Sequence, residues 1–152
     1  MGREKATSFQ DVPQQSGFLL ALRQREFFPT LSAVKLHLEN LPASLAPQRE
    51  TLARCLEAMD AALPLRQVIL FGSHARGDAR PDSDVDLCLV ADGAEKQYDT
   101  ATQWRLAMRP VRPRLSFTLI PITPARLGEK RTVGDFFFAT ILKEGVVLAT
   151  ED

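Results

Sequence analysis

Four residues in one stretch of the chain have the types and spacing to hold a charged phosphate tail. Gly72 and Ser73 follow the apolar run Val68-Ile69-Leu70-Phe71, and after ten intervening residues come Asp84 and Asp86. A glycine after a strand lets the chain turn sharply and lets its backbone come close to a ligand. If a helix begins there, Ser73 and the free amides of its first turn suit phosphate oxygens. Asp84 and Asp86 alternate with Val85 and Leu87, a strand pattern that sends both carboxylates to one face. At a rise of about 3.3 Å per residue they lie roughly 6–7 Å apart at the backbone, so their side chains can converge on one cation or a close pair. Two hard oxygen donors with room left for water and phosphate suit Mg²⁺, which seldom takes an all-protein cage. Turn and strand together would hold a nucleoside triphosphate by its tail.

The residues around these four sharpen the pattern. A lysine-bearing phosphate loop ends in Gly-Lys-Ser/Thr, whereas Gly77 is followed by Asp78, which excludes that class. Arg76 is placed either on phosphate or in an ion pair with a nearby carboxylate such as Asp82. Ser83 is placed to cap or orient the start of the Asp84 strand and joins Gly72, Ser73 and Arg76 as a nucleotide-binding candidate. His74 is expected to be a surface histidine, and His37 has nothing around it to suggest chemistry. Cys55 and Cys88 each sit in an apolar stretch without paired spacing, the pattern of two small buried side chains in a reducing compartment.

The elements that must position these groups follow from hydrophobic period. Leu52, Cys55, Leu56, Met59, Ala62 and Leu63 recur at helical spacing, and Pro64 stops that helix. Val68–Phe71 and the alternation Val85, Leu87, Leu89 predict two strands. Glu95 to Met108 predicts a helix with Tyr98, Ala101, Trp104 and Met108 on its buried side. Arg114 to Ile120 predicts a third strand closed by Pro121 and Pro124. Phe136, Phe137, Phe138, Ile141 and Leu142 predict a buried helix, with Asp135 as its N-terminal cap and Gly145 as its stop. Upstream, residues 1–16 are polar, Gly17 to Asn40 is helix-like material interrupted at Pro29, and Leu41 to Pro47 reads as a connection. The result is an α/β (α+β) domain: a small mixed β-sheet flanked by helices over residues 46–152, with a partly helical N-terminal extension over residues 1–45 that packs on it or makes a dimer.

Composition bounds the function. The chain has 152 residues, 45% of them apolar and 25% charged, the mix of one soluble globular domain. The 19 Lys and Arg balance 19 Asp and Glu, so no overall field draws it onto nucleic acid or an anionic membrane. No apolar run reaches the roughly 18 residues of a spanning helix, and the polar start lacks a signal core; the expected location is cytoplasmic. Arg109, Arg112 and Arg114 cluster between prolines, a basic patch that either faces solvent or meets phosphate or RNA.

Gly72-Ser73, ten residues, then Asp84-Val85-Asp86 resembles the signature of the polymerase-beta-like nucleotidyltransferase superfamily. The fuller Gly72-Ser73-His74-Ala75-Arg76-Gly77 and Ser83-Asp84-Val85-Asp86-Leu87 resemble its minimal members, the MNT proteins often paired with HEPN toxins. The resemblance spans residues 65–149, including the ending Lys143 to Leu148, and leaves the first 45 residues without a counterpart. It implies that Gly72 and Ser73 bind the triphosphate of ATP or another nucleoside triphosphate. It implies that Asp84 and Asp86 are catalytic and ligate Mg²⁺ in a one- or two-metal site. The transferred group would be AMP, and the acceptor a hydroxyl on a small helical HEPN-type toxin, since no acceptor-recognition domain fits the remaining length.

The resemblance fails at one position. Active members commonly carry a third carboxylate on a later strand, and the matching stretch places Thr118 there, or Ser116 with a shift of two. Neither acts as a base near neutral pH, and loss of a general base costs about 10²–10⁴ in rate. Three accounts remain open: a slow transferase using two aspartates; a substitute group from Asp78, Asp82 or a partner chain; or a catalytically weakened domain that acts as an antitoxin-like binding module.

Overall fold

The computed structural model describes residues 34–151, so the polar start and the helix-like run expected from Gly17, up to residue 33, lie outside the described residues. Those that are described belong to one compact unit built on a five-stranded sheet. Its strands are β1 (Lys35–Leu36), β2 (Gln67–Phe71), β3 (Val85–Val90), β4 (Phe117–Ile122) and β5 (Val146–Thr150), in the order β1-β5-β2-β3-β4. The β3–β4 pair is parallel and the others are antiparallel, so the sheet is mixed and the α+β expectation holds.

Helices cover both faces. On one side α1 (Arg49–Ala62) and α3 (Gln97–Met108) bring Leu52, Leu56, Met59 and Trp104 onto Val68, Leu70, Val85, Leu87 and Leu89. On the other, α4 (Pro124–Val133) and α5 (Phe136–Glu144) bring Leu127, Phe138 and Ile141 onto Ile69, Cys88, Val90 and Ile122. Central β3 is therefore buried on both faces beyond Asp86, each large apolar side chain contributing about 1.5–3 kcal/mol. Burial pushes the Cys88 thiol up to about 12 and raises that of Cys55, leaving both as packing groups rather than nucleophiles.

Several elements differ from the sequence expectation, each for a tertiary reason. Residues 34–40 are not helical: Lys35 and Leu36 pair with Thr150 and Ala149 at the sheet edge, a 3₁₀ turn follows at Leu38–Asn40, and His37 Nε2 meets Thr150 Oγ1 at 2.8 Å. Residues 34–45 thus belong to the sheet domain, and the boundary expected at residue 45 falls inside it. The expected connection before α1 is a 3₁₀ turn, Ala43–Gln48, anchored by buried Leu45. β4 runs through Pro121 instead of closing there. At the open edge Pro121 offers its carbonyl to Gln97 Nε2 at 2.7 Å, so its missing N–H faces away from β3 and costs the ladder nothing.

Helix α4 went unrecognised although Thr123 caps it, accepting from Arg126 N at 3.1 Å, with Pro124 in its first turn. Tyr98 is exposed, and the buried stripe of α3 runs through Thr100 and Trp104. Phe136 and Phe137 are also exposed, leaving Phe138 and Ile141 as the buried side of α5. Asp135 does cap α5, accepting from Phe138 N at 3.2 Å. Gly145 ends α5 in extended backbone at φ −68°, not in the left-handed form. It is needed because a Cβ there would overlap the Ile141 carbonyl and the Ile69 side chain.

Candidate active site

One end of the sheet gathers the residues singled out by type and spacing. β2 ends at Phe71, whose register partner across the antiparallel pair is Asp86. The chain then enters α2 (Gly72–Arg76), a single turn closed by Gly77. Gly72 sits at φ +72°, a conformation that costs other L-residues about 1–2 kcal/mol. A Cβ on it would overlap Asp86 Oδ2 and come within 3.0 Å of Asp86 Cγ. The bend therefore lies directly against the aspartate carboxylate, and only a residue without a side chain permits both. No side chain caps the start of α2, so the first amides there face outward without an intrahelical acceptor.

Asp86 shares its sheet face with Cys88 and Val90, while Val85, Leu87 and Leu89 fill the opposite core. Asp84, one residue before β3, has the same parity and is exposed; Asp86 is half-buried. Neither carboxylate has an ion-pair or hydrogen-bond partner among the described residues. Two unpaired carboxylates on one face, one open to water, fit a magnesium ion that keeps its remaining positions for water and phosphate. No group of three His, Cys, Asp or Glu able to hold a metal occurs among the described residues; Asp84 and Asp86 are the carboxylates on this face that could serve as donors.

Beside them on the parallel strand, Thr118 is the register partner of Asp86 and is half-buried. Ser116 precedes β4, is exposed, and accepts from Val85 N at 2.9 Å through its carbonyl. Both lie on the side of the site where a third carboxylate would be reached, and neither supplies one. Two residues were expected as substitutes. Asp78 pairs with Arg76 at 3.4 Å, and Asp82 is exposed in the turn before β3.

Of the remaining candidates, Arg76 takes Asp78 as its carboxylate instead of Asp82, in an exposed pair. The Ser83 hydroxyl accepts from Arg80 N at 2.8 Å and closes the turn that delivers Asp84. His74 corrects the sequence reading, being buried at 6% exposure. Its Nδ1 lies 2.8 Å from Ser44 Oγ and its Nε2 lies 3.4 Å from the Ser83 carbonyl. A carbonyl only accepts, so in the neutral ring Nε2 donates toward Ser83 and Nδ1 accepts from Ser44. His74 thus ties α2 to both the turn before α1 and the start of β3, fixing the bend relative to the aspartates. The sequence carries no sign of this, because Ser44 lies 30 residues away.

A family model for the nucleotidyltransferase domain matches residues 52–142, more than half of the chain and the whole of this site. The chain belongs to the nucleotidyltransferase domain family. A candidate nucleotidyltransferase from Sulfolobus solfataricus, known from a crystal structure, is 23% identical over 68% of this chain and 81% of that one, with a TM-score of 0.45. No curated protein matches. Within the nucleotidyltransferase family the match begins in α1 and ends in α5, so β1 and β5 are strands of this chain outside the matched segment.

Proposed function

We propose that this domain is a Mg²⁺-dependent nucleotidyltransferase that moves AMP from ATP to a hydroxyl of a partner protein. The observation that carries the reading is the Asp86 carboxylate lodged against Gly72, with exposed Asp84 on the same face. Gly72 and Ser73 would take the β- and γ-phosphates on the uncapped amides of the bend. Asp84 and Asp86 would hold Mg²⁺, which when bound offsets the charge on the phosphates and on the departing pyrophosphate. In the reaction the acceptor oxygen bonds to the α-phosphorus, the α–β bridging bond breaks, pyrophosphate leaves and the acceptor proton is released. Thr118 and Ser116 do not take that proton near neutral pH, so the reaction runs on two aspartates and is slow for its class.

No described helix is long and apolar enough to cross a membrane. The partner in this reading is a small helical toxin of HEPN type, met in the cytoplasm. The test is transfer of label from α-labelled ATP to the protein encoded beside this one, with the Asp84→Asn, Asp86→Asn double variant as control. Transfer is expected only with the native aspartates; equal label in both proteins would overturn the reading.

One observation favours a second reading. Val133, Phe136 and Phe137 are exposed together around the α4–α5 junction, and Phe137 meets Phe71 edge-on at 5.9 Å. A patch of this kind suits protein contact, and a domain lacking the third carboxylate would neutralise its partner by binding alone. That reading requires the double Asn variant to neutralise fully and calorimetry with Mg²⁺ and ATP to show no heat.

A further inference from the structure

We propose that the ring of Phe137, braced on Phe71, stacks the base of the bound nucleotide and makes the site selective for purines over pyrimidines. This rests on the transferase reading for where the phosphates lie. Phe71 is the residue before the Gly72 bend and the register partner of Asp86. Directly opposed residues of an antiparallel pair hold their Cβ atoms about 4.5–5.5 Å apart on one face. Phe71 packs against the cluster of Ile69 and Cys88, the face that Asp86 shares, so aromatic surface begins beside the carboxylate. Phe137 extends it. Its ring centre lies 5.9 Å from that of Phe71 and 5.3 Å from that of Phe138, at interplanar angles of 88° and 82°.

The core does not require this ring. Of the three consecutive phenylalanines that open α5, Phe138 is the buried one, whereas Phe137 keeps 47% of its surface open. Edge-to-face contact with two neighbouring rings nevertheless fixes its tilt. A ring already held in one orientation loses little freedom when a flat ligand settles on it, which favours binding.

Reaction geometry carries the base to it. Pyrophosphate lies at the Gly72–Ser73 bend, the acceptor enters in line opposite it, and the aspartates lie beneath the α-phosphorus. The ribose therefore leaves over the open face above Asp86. From there it turns either off the end of the sheet into water, or back along the face that α5 covers with Phe138 and Ile141. Only the second course meets apolar surface, and that surface begins at Phe71 and Phe137.

Chemistry selects the occupant. Every base has a π-face, and an aromatic ring discriminates among bases by stacking strength instead of by their hydrogen-bonding edges. A two-ring purine covers more of Phe137 than a pyrimidine does, so adenine and guanine are taken alike and uracil and cytosine less well. An apolar protein segment is drawn first to Val133 and Phe136, which are more exposed than Phe137. Phe137 is the ring that adjoins Phe71, and through it the site.

The test needs no acceptor. Calorimetry with the full chain and Mg²⁺ compares non-hydrolysable analogues of ATP, GTP and UTP with inorganic tripolyphosphate, which has the charged tail and no base. The two purine analogues are expected to bind within about threefold of each other, more tightly than the UTP analogue, and at least about tenfold more tightly than tripolyphosphate. Phe137→Ala should weaken the purine analogues roughly 5- to 150-fold and leave tripolyphosphate within about twofold. Phe137→Trp should retain purine binding and Phe137→Leu should not; the leucine variant serves if alanine folds poorly. Equal loss for purine analogue and tripolyphosphate, no loss for either, or a UTP analogue bound as tightly as ATP would overturn the proposal. Tripolyphosphate binding that needs Asp84 and Asp86 but gains nothing from a base would leave the phosphate and metal assignments standing and overturn the stacking alone. Purine binding that depends on Phe137, with no transfer of label to any acceptor, would keep the base seat and overturn the transferase reading instead.

Discussion

Substitution of Gly72 by alanine tests the central contact of the site without any acceptor. Two separate costs arise. At φ +72° an alanine pays about 1–2 kcal/mol for the left-handed backbone. Its Cβ also overlaps Asp86 Oδ2 and crowds Asp86 Cγ, so the carboxylate must rotate away, at about 0.5–1.5 kcal/mol for an off-rotamer side chain. Gly72→Ala should therefore lose about 1.5–3.5 kcal/mol of unfolding free energy in urea. The second cost belongs to Asp86 alone. In an Asp86→Ala background only the Cβ remains close, at 3.3 Å, and the glycine substitution should then cost only the backbone part. A double-mutant cycle should return a coupling of about 1 kcal/mol, against the 0.3–0.5 kcal/mol within which unconnected sites add. Because the rotated carboxylate no longer faces the bend, Gly72→Ala should also weaken Mn²⁺ binding followed by electron paramagnetic resonance. A cycle that adds within error, or unchanged Mn²⁺ affinity, would show that Gly72 and Asp86 do not share this geometry.

Three further outcomes follow from the same structure. Thr118→Asp sets a carboxylate beside Asp86 in register and should raise Mg²⁺-dependent pyrophosphate release from ATP by about 10²-fold; an unchanged rate removes this position from the chemistry. His74→Ala strips a buried ring of its bonds to Ser44 and Ser83 and should cost about 1–3 kcal/mol in a urea melt; a loss within error would mean that the ring does not hold the bend. The Lys130 ammonium and the Phe138 amide hold the Asp135 carboxyl below its ordinary value. Its contribution is therefore complete above the unfolded carboxylate range near pH 4 and is lost as pH falls through the lower folded value. Melting temperatures of the native chain and Asp135→Asn, followed downward from pH 5, should converge; a constant gap would refute that assignment.

The local elements around the site were legible because each follows from its own residues. Period-two alternation places Asp84 and Asp86 on one face whatever surrounds them, and Gly72-Ser73 after four apolar residues already specifies a bend at the end of a strand. The helical period from Leu52 to Leu63 and the Asp135 cap are of the same local kind. Helix α4 was missed although its Thr123 cap is local; the other misreadings fell where a distant partner decides. Lys35 and Leu36 are extended because β5, more than 100 residues later, offers them an edge. Pro121 stays in a strand because that strand lies at an edge, and His74 is buried because Ser44 and Ser83 meet it from two directions.

The sequence by itself determined the chemistry on offer: two carboxylates in step, a glycine bend, and threonine or serine where another carboxylate would stand. Those are properties of residue type and short spacing, which the backbone period converts directly into geometry. Tertiary structure alone decided that the bend touches Asp86 and that Thr118 is its neighbour in register. Each of these joins segments that only the pairing of β2, β3 and β4 brings together. Pairing order depends on the whole core, because sheet neighbours are chosen by which apolar faces can be covered on both sides at once.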